Sequence, residues 1–121
     1  MRQEMIQVGP ETLLVWVPET KQEMNRGYRA REPVDGEGML FDVRSFAPTP
    51  LWIPIAVGKD AAGLDVLWIE KNTVTAIAEN QRGCLQGASD MVLEVPAGWV
   101  KKTGVALGLP FSMPDGIKLG M

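Results

Sequence analysis

The chain has 121 residues, 45% apolar and 22% charged, with a formal net charge of −3, the balance of one soluble globular domain over 1–121. Twelve basic residues against fifteen acidic ones argue against a nucleic-acid binder, which needs a basic excess to displace counterions. Histidine is absent and cysteine occurs once, which excludes Ser-His-Asp and Cys-His catalysis, histidine-ligated metals, an internal disulfide and a Cys-x-x-Cys pair.

Ile6 and Val8 suggest a first, edge strand, with Gly9-Pro10 as the turn after it. Leu13 to Val17 is an apolar run ended by Pro18, which predicts a strand buried on both faces. Thr20-Lys21-Gln22-Glu23 fits a capping box. It predicts a short helix from Lys21 to Arg26, with Gly27 in the left-handed position that ends it. Arg26, Arg29 and Arg31 crowd into six residues before the turn Pro33-Val34-Asp35-Gly36. Gly38 to Val43 follows as a strand.

Leu51 to Val57 predicts a further strand, with Pro54 marking an edge or a bulge. Leu64 to Glu70 and Thr73 to Glu79, joined by Lys71-Asn72, read as a β-hairpin. Its first arm is apolar on both faces from Val66 to Ile69, as a central strand requires. Asn80 to Ser89 reads as a polar loop holding Cys84, whose expected role is that of a small buried hydrophobe. Asp90 to Val95 predicts another strand. Pro96 to Thr103 reads as a helical turn or two, closed by Gly104 with Val105 as its hydrophobic contact. From Leu109 onward Pro110, Pro114, Gly116 and Gly120 predict an extended or frayed tail.

The expected fold is therefore α+β and mainly β: a compact, barrel-like sheet of about seven short strands with two short helices. No apolar run reaches the ~20 residues that span a bilayer. The N-terminal residues lack the apolar core of a signal peptide, so a cytoplasmic protein without membrane contact is expected.

Arg26-Gly27, Arg31, Gly36 to Phe41, Leu64 to Ile69, and Val92 to Gly98 with Gly104-Val105 resemble, in that order, the family named domain of unknown function 192. That family carries an RGLMFR-like helix end, a GMLF strand, a PLD strand and a VLELPAG junction. The resemblance covers roughly residues 11 to 110. It implies a mostly β domain with a polar cleft, and no established activity. Carried over by position, the cleft residues are Arg26, Arg31, Trp52, Asp65 and Glu94. The chain departs from the pattern at Tyr28-Arg29-Ala30, in place of Leu-Met-Phe. It departs again at Leu51 to Pro54, where the family has FWMKNT, and at Ile77-Ala78-Glu79, where the family's IHE has its histidine.

Each candidate has a plain structural reading beside the functional one. Asp65 opens an apolar strand and must be paired or solvated, with Arg26 or Arg31 as its natural partner in a structural ion pair or a ligand site. Glu94 suits either a solvated strand face or a cleft acid. Trp52 is core or a stacking platform. Glu79 and Asp65 share the open end of one hairpin, and two facing carboxylates are what a glycoside hydrolase needs. The leading expectation is a non-enzymatic domain that binds a small polar or anionic ligand or a protein, without cofactor or metal. The alternatives are a carboxylate-based hydrolase acting on saccharides and a structural or assembly module.

Overall fold

The computed structural model describes residues 1–20, 22–23, 36–42, 51–55, 63–87 and 90–113, with backbone alone at 51–55 and 83–87. The hairpin sets the register of everything beside it. Strands β5 (Leu64–Glu70) and β6 (Thr73–Gln81) are joined by Lys71 and Asn72, with φ of 50° and 60°. That left-handed pair suits the twist of a two-residue hairpin turn. The turn is tied down by the Lys71 N–H, which donates to Asp90 Oδ2 at 2.8 Å.

The other strands are β1 (Arg2–Val8), β2 (Glu11–Val17), β3 (Glu37–Asp42), β4 (Leu51–Ile55), β7 (Gly83–Gly87), β8 (Met91–Pro96) and β9 (Phe111–Ser112); helix α1 is Trp99–Thr103. Seven strands form one sheet in the order β6-β5-β8-β3-β2-β1-β9, while β4 and β7 make a separate two-stranded ribbon. Within the large sheet β2 and β3 run parallel; the other neighbouring pairs are antiparallel.

The sheet curls into a half-barrel, and residues 108–112 stitch its two edges together. Gly108 N–H donates to Val74 O at 2.9 Å, Val74 N–H to Leu109 O at 3.0 Å, and Phe111 N–H to Asn72 O at 2.8 Å. On the other edge Phe111 and Ser112 pair with Val8 and Gln7, and Gly9 N–H donates to Pro110 O at 2.8 Å.

The concave face holds the core: Ile6, Val8, Leu13, Val15, Leu40, Leu67, Ile69, Leu93, Val95 and Phe111, with Trp99 and Val100 of α1 at one end. The convex face of the central strands is buried as well. Met39, Phe41, Leu64, Val66 and Val92 are all within 1% of complete burial, although alternation along each strand points them away from the core.

The sequence reading is corrected in several places. The curled sheet has the seven strands expected, and among the described residues β4 and β7 add two more outside it. Gly83–Gly87 is a strand rather than part of a loop, and the side chain of Cys84 lies outside the described residues. In β2 only Leu13, Val15 and Val17 are fully buried, with Leu14 and Trp16 half-buried, so one face rather than both is sealed. The first strand is not an edge, since β9 lies beyond it. Of the tail expected to be extended or frayed from Leu109 onward, Phe111 and Ser112 are extended and paired in the sheet, and residues 114–121 lie outside the described residues.

One helix is complete among the described residues, at Trp99–Thr103. It ends as expected, with Gly104 at φ 76° donating to Val100 O at 2.9 Å and Val105 buried. Of the helix expected at Lys21 to Arg26, only Gln22 and Glu23 are described, and both are helical. Its cap is half the expected box. Glu23 N–H donates to Thr20 Oγ1 at 3.1 Å, but the Glu23 carboxylate accepts from the Glu19 N–H rather than that of Thr20.

Candidate functional site

Asp65 and Glu94 lie on adjacent central strands, completely buried, in opposite electrostatic circumstances. The register pairs Asp65 with Val95, and Val66 with Glu94. The side chain of Asp65 therefore enters the concave face, while that of Glu94 enters the convex face.

Asp65 is satisfied by backbone amides. Its Oδ1 accepts from Asn80 N–H at 2.9 Å, and its Oδ2 from Gly98 N–H at 3.1 Å and Val100 N–H at 3.0 Å. The first of these serves a β-bulge, where the β5–β6 register slips between Leu64 and Val66 and Asn80 sits at φ 52°. The other two serve the start of α1, whose own cap residue, Gly98, has no side chain to offer. Asp65 thus does from a neighbouring strand what an N-cap side chain usually does locally, and it ties bulge, strand and helix into one corner.

Glu94 has nothing comparable. Neither carboxyl oxygen has a hydrogen-bond partner. Its neighbours in register are Met39 on β3 and Val66 on β5, both fully buried. This apolar burial pushes the Glu94 carboxyl from its ordinary 4.5 up to about 8, so at neutral pH it is mainly the uncharged acid. The half-exposed strand face that its sequence alternation suggested is not what surrounds it. All of Met91 to Val95 is buried.

A second unpartnered polar group shares this face. The indole Nε1 of Trp68 is buried without a partner, and Trp68 stands opposite Val92, one diagonal step from Glu94. Sequence reasoning passed over Trp68. The signal was its two-residue spacing from Val66, but it points to Glu94 only once the β5–β8 register is known. On the flank of the same face, Trp16 Nε1 donates to Glu37 Oε1 at 3.4 Å.

The other sequence candidates are placed less fully. Trp52 pairs with Gln86 in the β4–β7 ribbon, its side chain outside the described residues. Arg26 and Arg31 also lie outside them. Glu79 is exposed on β6; the bulge beside it brings the amide of Asn80, rather than a second acid, onto Asp65. Asp65 and Glu94, on opposite faces, do not form an acid–base pair across one cleft. Among the described residues no three acidic or thiol side chains gather as a metal site, and no helix is long and apolar enough to cross a membrane.

The model of the family DUF192, described as Uncharacterized ACR, matches residues 4–113. The chain belongs to the DUF192 family. The match reaches beyond both ends of the region where the motifs were visible, taking in most of β1 and all of β9. Two solved structures share the DUF192 chain's fold. One, from Sinorhizobium meliloti 1021 and named as a candidate transcription regulator, is 25% identical, with a TM-score of 0.76 over 93% of this chain and 94% of that one. The other, a protein of unknown function from Novosphingobium aromaticivorans DSM 12444, is 20% identical, with a TM-score of 0.73 over 91% and 84%. No curated protein matches.

Proposed function

We propose that this DUF192 domain is a non-enzymatic binding module for a small polar molecule, and that Glu94 on the convex face of the sheet is its central contact. One observation carries the reading: a fully buried carboxyl with no hydrogen bond on either oxygen. Leaving such a group unsatisfied costs on the order of 1–3 kcal/mol, a large share of the stability of a small domain. Asp65, one strand away, meets the same burial with three amide donors, so the fold has the means to satisfy a buried acid. A ligand that hydrogen-bonds Glu94 accounts for the difference.

Arg26, Arg31 and Trp52 are the sequence's candidates for the rest of the site, with the arginines suited to a polar acceptor group on the ligand. Asp65 holds the corner of the scaffold. No observation favours the hydrolase reading, and a net charge of −3 argues against direct binding of this chain to nucleic acid.

The test is a thermal-shift screen of sugars, nucleotides, amides, peptides and organic acids on wild type and Glu94→Leu. Without ligand, Glu94→Leu melts higher, because a buried unsatisfied acid is replaced by an apolar side chain of similar size. With ligand, wild type gains stability by mass action and the variant does not. A ligand that stabilises both proteins equally would refute the assignment, as would a Glu94→Leu variant that melts well below wild type.

A further inference from the structure

We propose that the convex face receives a neutral molecule through an amide edge, whose carbonyl accepts from the Trp68 indole N–H while its amide group pairs with the Glu94 carboxyl. This rests on the reading of Glu94 as a ligand contact and adds the chemical class of what it contacts.

The geometry supplies the complement. Trp68 Nε1 and both Glu94 oxygens are buried and unpartnered, and the register Val66–Glu94 and Trp68–Val92 makes the two residues diagonal neighbours on one face. Diagonal Cβ atoms on paired strands lie about 7–8 Å apart, near enough for one small group to meet both side chains. Trp68 offers only a donor; an uncharged carboxyl offers one donor and one acceptor. The complement is a carbonyl with two lone pairs beside an N–H, which is an amide, a lactam or an imide.

The surroundings argue against an ion. Leu64, Val66, Met39, Phe41 and Val92 line the same face, all buried, and a charged ligand would lose its hydration there. The described charged groups on that face of β3, β5 and β8 are acids. Glu37 is engaged by the Trp16 indole, Asp90 accepts from Lys71 N–H, and Glu70 is exposed. None of them would attract an anion.

The decisive experiment follows the indole N–H resonances of ¹⁵N-labelled protein, with Trp68 assigned through Trp68→Phe. The titrants share one ring: benzamide, benzoate and benzylamine. Benzamide should move the Trp68 resonance saturably, with Kd on the order of 1 mM. Above the Glu94 pKa of about 8 its affinity should fall roughly tenfold per pH unit as the carboxyl loses its proton. Glu94→Gln keeps an amide-pairing edge, so it should bind benzamide within about threefold of wild type at neutral pH and show no pH dependence. Glu94→Leu should not bind it.

The amide class is overturned if benzamide leaves the Trp68 resonance unmoved at about 50 mM, well above the Kd expected for a real site. It is equally overturned if benzoate binds more tightly, or if benzylamine does so with affinity rising with pH. In those cases the thermal-shift screen separates the two failures. A ligand whose effect vanishes in Glu94→Leu leaves the Glu94 reading intact and removes only the amide. The absence of any such ligand removes both.

Discussion

Asp65 and Glu94 show how little a residue's name says about its role until its surroundings are known. Asp65→Ala would leave three amide donors without their acceptor, that of Val100 in a buried position and those of Asn80 and Gly98 in part-buried ones, and we expect a loss of about 3 kcal/mol in urea unfolding. Asp65→Asn should retain part of that, because its one carbonyl oxygen can still serve some of the donors. Glu94 acts in the opposite sense. Its folded-state pKa is raised from 4.5 to about 8, so between those values the native state holds a proton that the unfolded state has released. Stability is then fully present below about pH 4.5 and declines as pH rises to about 8, by a few kcal/mol at most. Equilibrium unfolding of wild type and Glu94→Gln across that range should show the slope in the first and a nearly flat profile in the second. The residue types at both sites were visible in the sequence. Their roles were not, because the partners of Asp65 are amides 15 to 35 positions away, and because the alternation around Glu94 looks the same whether the second face meets water or protein.

At the scale of elements, local signals were read well and long-range ones poorly. The hairpin was legible because Lys71-Asn72 accepts positive φ between two apolar arms, and the end of α1 because Gly104 takes the left-handed turn. Strands β7 and β9 escaped because nothing periodic marks them. Gly83–Gly87 has few strand-forming residues, and Phe111–Ser112 is two residues long behind a proline. Gly38 belongs to this scale as well. A Cβ there would lie 2.9 Å from the Glu94 carbonyl oxygen and 3.1 Å from Leu13 and Val95, so the glycine is what lets β3 approach β8. We expect Gly38→Ala to cost about 1–3 kcal/mol by forcing the two strands apart, measurable as a lower urea midpoint with an unchanged slope. The same shift would move Met39 away from Glu94 and disturb the face on which the Glu94 carboxyl lies.

For the whole molecule, the family and the mainly β architecture were within reach of five short motifs, whereas the order of the strands was not. Sheet order is fixed by pairings such as β3 with β8, which bring together stretches about 50 residues apart, and no local pattern encodes which partner a strand will choose. The stitching by residues 108–112 carries a consequence for how the protein is made. During vectorial synthesis β1 leaves the ribosome long before β9, yet its outer edge pairs with Phe111 and Ser112, and the start of β6 is held by Gly108 and Leu109. Until residue 112 emerges, both edges expose unpaired backbone of the kind that recruits other chains. The nascent domain therefore stays open until β9 emerges, and its riskiest interval ends only then.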